Sequence, residues 1–337
     1  MHLDAASIAA RRTAAHARAM TALPYDMFDL ERSAADARRF ERVENIYHRG
    51  QDLAWSGRDV LASLVKKHGG TRVPPAKKEA LRQIFGPVLW GELAAWKISA
   101  QLADRLEPLE AKMAATSQAH DEARHFYVMH DYLTLATGGV PRGMHPASER
   151  LLSIVLETDD LAHKLLGMQL QVETTALTVF QHAREVDICP VLSELLPYFE
   201  KDEARHVGLG TQVLPILMRR MNRIEAAQLT AFALRVTFWL LASNRAMEPG
   251  LRTLGLDPRR VLTLAKSKQM IVWEELWQAT NKQDTDLGDL IARGMEAIAN
   301  GMWPPDGEQD LLGRARAVWS GLRGGVAQVP TTIAPDA

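Results

Sequence analysis

The chain has 337 residues and a single cysteine, Cys189. One thiol excludes an intramolecular disulfide and a cysteine-ligated iron–sulfur cluster, and it suits a reducing, cytoplasmic setting. Net charge is nearly absent as well: 40 Lys and Arg stand against 41 Asp and Glu, a formal charge of −1. That balance gives no electrostatic ground for a nucleic-acid or anionic-membrane partner. The most apolar stretch, AFALRVTFWLLAS at 231–243, contains Arg235 and is too short to span a bilayer. The Ala- and Arg-rich N-terminus lacks the apolar segment of a secretory signal. There is no glycine-rich flavin or nicotinamide fingerprint, no low-complexity segment and few runs of alternating β-branched residues.

What is present is apolar residues at spacings of three and four, the pattern of helices. The spacing predicts long helices over 77–106, 109–136, 160–185 and 191–220, with shorter ones within 4–65 and over 223–247, 258–280 and 285–299. An all-α chain follows, divided into an N-terminal helical extension (1–76), a four-helix bundle (77–220), C-terminal helices packed on it (221–300) and a loop-rich tail (301–337). TGGVPRGMHPAS at 137–148 is the clearest interruption, because Gly and Pro cluster there.

The pentapeptide DEARH occurs twice, at 121–125 and 202–206. Each copy follows a glutamate, Glu92 or Glu173, with 28 residues between, so that Glu92, Glu122 and His125 recur as Glu173, Glu203 and His206, shifted by 81. Pro108 and Pro190 fall midway in each unit, where a turn folds the two arms antiparallel and brings the second glutamate back level with the first. A repeated charged pentapeptide on a helix is ordinarily a solvated face. At 100° per residue, however, all four glutamates and both histidines share stripes with apolar residues such as Phe85, Val88, Trp96, Phe126, Met129, Leu177, Phe180 and Phe199. Unpartnered buried carboxylates cost several kcal/mol each and repel one another. Two divalent cations held by Glu92, Glu122, His125, Glu173, Glu203 and His206 remove both costs. Asp121 and Asp202 are then placed to accept the spare ring N–H of a histidine, Arg124 and Arg205 to pair with those aspartates, and Gln118 and Gln169 to donate toward the glutamates. The expected lining is apolar, which suits a hydrophobic small molecule, and Gly210 is read as close helix packing more than as room for a substrate.

With Glu92 and Asp121–His125 repeated as Glu173 and Asp202–His206, the region 77–220 resembles the ferritin-like di-iron carboxylate superfamily, in particular its oxygen-activating branch of monooxygenase hydroxylases, acyl-carrier-protein desaturases and arylamine N-oxygenases. The resemblance implies a ferritin-like bundle holding two iron ions, or one manganese and one iron, with O₂ as co-substrate. It also implies an external reductase or ferredoxin as electron donor, since the chain carries no redox cofactor motif of its own, and a homodimer. Leu177 stands where multicomponent monooxygenases carry a threonine, and Phe199 where N-oxygenases carry a third histidine. Met129 stands where the radical subunit of ribonucleotide reductase keeps its tyrosine. The resemblance therefore leaves hydroxylation, desaturation and N-oxidation open, beside a ferroxidase or iron-handling role from a different class.

Overall fold

The computed structural model describes residues 30–280, 285–304 and 310–324, and among these it is all-α. The helices, in order, are α1 Leu30–Arg39, α2 Glu41–Asp52, α3 Gly57–His68, α4 Pro75–Arg105, α5 Leu109–Thr137 and α6 Pro146–Glu157. A continuous rod, α7, joins α-helical Leu161–Lys164, π-helical Leu165–Val172 and α-helical Glu173–Val186; then come α8 Pro190–Met218, α9 Arg223–Leu254, α10 Pro258–Thr280, α11 Thr285–Met302 and α12 Leu311–Arg323. The predicted long helices are all present. Two elements were not anticipated, α6, which begins at the end of the interruption and runs beyond it, and α12 inside the tail, which is therefore not loop throughout. The start of the first predicted stretch, 4–29, lies outside the described residues.

Pro108 and Pro190 mark the turns of two hairpins, α4–α5 and α7–α8, whose arms pack along one another. Proline suits these positions because the first helical N–H groups have no intrahelical acceptor. Around the bundle, α2 and α3 cover α5 and α8, while α9 lies across α4 and α6 and α10 across α7 and α8. Helix α9 is long and apolar enough to cross a membrane by length and composition, but 44 % of its most apolar window is buried in the protein. Lys164 is itself buried, and its ammonium reaches the carbonyls of Val155 and Leu156 at 3.5 and 3.2 Å, closing the C-terminal end of α6.

The π-helical stretch immediately precedes Glu173, and neighbouring side chains satisfy its loosened backbone. The carbonyl of Gln171 accepts from Thr175 Oγ1 at 2.8 Å and from Gln269 Nε2 at 3.4 Å. Gln171 Nε2 in turn donates to Thr237 Oγ1 and the Ala233 carbonyl of α9. Against this stretch lies Gly210 of α8, where a Cβ would stand 2.6 Å from Leu170 Cδ2 and 3.0 Å from Gln169 Cβ. The glycine is a close-packing position, and it brings α8 against α7 beside the site. At Gly208 a Cβ would meet only Ile46 Cδ1, at an ordinary 3.7 Å.

The two glycines should thus respond oppositely. Gly210→Val should lower the unfolding free energy by about 1–3 kcal/mol through overpacking. Gly208→Ala should raise it by up to about 1 kcal/mol through helix propensity. Urea unfolding of the two variants measures both, and equal effects would contradict this packing.

Candidate metal centre

Helices α4, α5, α7 and α8 each send one glutamate inward. Glu92, Glu122, Glu173 and Glu203 are all buried, with His125 and His206 between them. Their ligand-capable atoms fall into two groups, each within 4.8 Å: Glu92, Glu122, His125 and Glu203 in one, Glu122, Glu173, Glu203 and His206 in the other. Glu122 and Glu203 belong to both. Nδ1 of His125 lies 3.4, 3.5 and 3.3 Å from carboxylate oxygens of Glu92, Glu122 and Glu203. Nδ1 of His206 lies 3.1 Å from Glu122 and 3.0 Å from Glu203. All six predicted residues converge on one point of the bundle.

The aspartates and arginines of the repeat exchange partners across the bundle. His125 Nε2 donates to Asp202 Oδ2 at 3.0 Å, and His206 Nε2 faces Asp121 Oδ2 at 3.4 Å, so each histidine is oriented by the other copy. Arg124 pairs with Asp121 and, at 2.8 Å, with Asp202; Arg205 pairs at 2.8 Å with Asp121 and with Asp202. These contacts fix which ring nitrogen keeps its proton and leave Nδ1 turned toward the carboxylates. Gln118 Nε2 donates to Glu122 at 3.0 Å and to Glu173 at 2.7 Å, while Gln169 Nε2 reaches only Gln118 Oε1, at 3.5 Å. The expected direct role of Gln169 toward a glutamate is corrected to one through Gln118.

Trp55, in the turn before α3, was missed by sequence reading. Its Nε1–H donates to Asp202 Oδ2 at 2.8 Å, and its ring carries the Arg124 guanidinium at 4.9 Å. No periodicity links this residue to the repeat, so nothing in the sequence flagged it. Phe199 stacks on the His125 ring at 4.4 Å between centroids.

Burial and mutual charge displace the acid–base equilibria of these groups. Burial, with its neighbours Glu203 and Glu122, holds the Glu92 carboxyl well above its ordinary value against the pull of His125. Burial raises Glu173 as well, with Glu122, Glu203 and Glu92 adding to it. For Glu122, burial is outweighed by His206 and His125, and the carboxyl is lowered. Burial alone would lower both imidazoles, but Asp202 and three glutamates raise His125, and Glu122 with Asp121 raises His206. Even so, Glu122 Oε2, Glu173 Oε2 and His125 Nδ1 have no hydrogen-bond partner. Buried polar atoms without partners facing one another, on a set of four carboxylates and two imidazoles, fit a pair of divalent metal ions of the iron or manganese type.

Beside the carboxylates lies a cavity of about 900 Å³, counting its open mouth. Glu92, Glu122, Glu173 and Glu203 stand in its wall; otherwise it is largely apolar. Of the eight apolar residues expected to line it, only Val88 does. Trp96 is instead 46 % exposed, and Phe85, Met129, Phe180 and Phe199 are closed into the core. The reason is a one-residue offset. The cavity stripe on α4 is Ile84, Val88, Gly91 and Ala95, and on α7 it is Met168, Val172, Thr175 and Val179. Each stripe is turned about 100° from the one that carries the glutamate, so the cavity sits on the flank of the bundle under α6 and α9. Thr175 is consequently in the wall. Pro87 and Met247 also line a surface cleft formed with the 139–145 segment, so the interruption in the sequence frames the mouth.

Asp202→Ala should cost about 3–5 kcal/mol, because it strips a buried partner from two arginines, His125 and Trp55 together. Chemical denaturation of metal-free protein gives the value, and a loss below 1 kcal/mol would contradict the crossed network.

No protein-family profile and no curated protein matches the chain by sequence. Among solved structures, a Synechococcus protein with aldehyde deformylating oxidase activity superposes with a TM-score of 0.50 at 19 % identity, over 63 % of this chain and 94 % of that one. An R2-like ligand-binding oxidase with an aerobically reconstituted Mn/Fe cofactor gives 0.52 at 16 %, over 69 % and 92 %. A variant of it with an Fe/Fe cofactor gives 0.50 at 15 %, over 69 % and 92 %. At these identities the likeness concerns the fold, and the fold of this chain is ferritin-like.

Proposed function

We propose that this protein is an O₂-dependent, non-haem di-iron oxidoreductase, a hydroxylase or desaturase type of enzyme that acts on a hydrophobic small molecule or acyl chain. The observation that carries this reading is the meeting of two features: a buried set of four carboxylates and two imidazoles, and an apolar cavity with those carboxylates in its wall. Glu92 with His125 would hold one ion, Glu173 with His206 the other, and Glu122 and Glu203 would be shared. Bound iron, or iron with manganese as in the R2-like neighbour, would supply the reduction of O₂ and the oxidation of substrate. The chain's own part is positional. Asp121 and Asp202 hold the imidazoles, Gln118 holds two of the carboxylates, and the apolar wall admits substrate while excluding bulk water. Electrons would come from a separate reductase or ferredoxin, because the chain has one cysteine and no nucleotide-binding fingerprint.

Iron storage is the reading to set against it. Anaerobic loading with Fe(II), followed by metal analysis, separates the two: an oxidase retains two irons per chain, storage retains many, and retention of none would sink both. Glu122→Ala combined with Glu203→Ala should abolish retention, since these residues serve both ions.

The pH dependence has a defined sign. Glu92, Glu173 and the two imidazoles are raised, so each keeps its proton to higher pH than the free group and must lose it before its atoms can bind a cation. Metal affinity should therefore rise with pH, with proton release on binding. Calorimetric titration in two buffers of different ionisation enthalpy reads that release directly, and pH-independent affinity would count against the assignment.

A further inference from the structure

Asn244 of α9 stands in the cavity wall, 7 % exposed, and its Nδ2 has no hydrogen-bond partner. Its level in the cavity follows from the antiparallel register of α9 on α4. A Cβ at Gly250 would meet Gln83 and Ile84 at 2.6 and 3.2 Å, which places Asn244, six residues earlier on α9, opposite Leu89 and Trp90, within one turn of Glu92. At Gly91 no atom lies within 4 Å of where a Cβ would be, so the cavity reaches the α4 backbone there.

Next to Asn244 are two more polar groups. Ser148 of α6 and Ser243 of α9, both buried and both in the wall, place their hydroxyl oxygens 2.6 Å apart. One hydroxyl donates to the other, and the acceptor's own proton is left for a third group. The wall thus carries two unspent donors, an amide N–H and a hydroxyl O–H, beside the carboxylate centre. A carbonyl oxygen, with two lone pairs, is the group that uses both.

Charge restricts the choice further. Among the described residues no Lys, Arg or His lines this cavity, while four glutamates do. An anionic head beside Asn244 would have no cationic side chain to pair with, so a neutral carbonyl suits the position better than a carboxylate. The cavity is also asymmetric about Asn244. Toward Ile84, Val179, Leu251 and Val261 it runs for seven residues of α9, about 10 Å; toward Ala95 and Leu240 it runs for four, about 6 Å.

We infer that Asn244 and the Ser148–Ser243 pair form a polar subsite that takes the neutral carbonyl oxygen of an otherwise aliphatic substrate, whose chain extends toward Leu251 and Val261. This rests on the oxidoreductase reading above and names its substrate class: an aliphatic ketone, aldehyde, ester or amide. The subsite fixes which stretch of the chain lies beside Glu92, and hence which carbon would be exposed to the oxidising centre.

The test compares 2-octanone with n-octane, a matched pair differing in one acceptor, by equilibrium binding to the protein as purified, with metal content measured on the same samples. The native protein should bind the ketone about tenfold more tightly than the alkane. Asn244→Leu should bring the ketone down to the alkane's level while leaving alkane affinity unchanged or higher, which also shows that the variant's cavity is intact. Ser243→Ala should reduce the preference by about threefold. Equal binding of the two probes by the native protein, no binding of either, or a ketone preference that survives in Asn244→Leu would each overturn the subsite. A ketone preference in protein that retains no metal would leave the subsite standing and remove the oxidoreductase reading. Two retained metals without a preference would do the reverse.

Discussion

Four glutamates buried within a few ångströms of one another need positive charge from inside the same bundle, and most of the site follows from how that need is met. Two imidazoles answer part of it, held above their ordinary values by the acids around them, and burial pushes Glu92 and Glu173 up toward their neutral forms. What remains is a set of orphaned oxygens and a ring nitrogen turned toward one another. An arrangement kept only for stability would do better with apolar residues of the same volume, since taking charges out of water is costly even when they are paired. The set is better explained by a charge that comes and goes from solution.

The duplication gives this arrangement its rigidity. Because each aspartate orients the histidine of the other copy, and each arginine bridges both aspartates, neither hairpin can complete its half of the site alone. Within the two DEARH copies, two aspartates, two imidazoles and two guanidinium groups behave as one interlocked unit, with Trp55 of the N-terminal region closing one side. Separation of the hairpins would expose buried charge on both at once, which ties the bundle's cohesion to the integrity of the site.

Much of this was legible in the sequence. The repeat and its spacing predicted all six convergent residues, because a helix has a fixed period and a hairpin a fixed return. Asp121, Asp202, Arg124 and Arg205 were legible for the same reason. The cavity was not. Its wall lies one residue away from the glutamate stripe on both α4 and α7, and a wheel centred on the glutamates selects Phe85 and Phe180, which are core, in place of Ile84 and Val179. Nor could periodicity show the π-helical stretch before Glu173, where neighbours such as Gln269, about a hundred positions away in the chain, satisfy the backbone. Trp55 and Asn244 were hidden because their relation to the repeat is purely tertiary.

The flanking position of the cavity bears on what the residues beyond the bundle are for. A bundle that only bound metal could close its inner faces with its own four helices. Here α6 and α9 roof a chamber on the flank, and α9 devotes Leu240, Ser243, Asn244, Met247 and Leu251 to its wall. Helices α4 and α7 consequently serve two faces, one stripe holding the acids and the next facing the chamber. That division lets the apolar wall change without disturbing the acids, and it puts Ser148, Ser243 and Asn244 on elements that hold none of the six acids and imidazoles. Under the proposed function, substrate selectivity would lie with α6 and α9, and reactivity with the repeat.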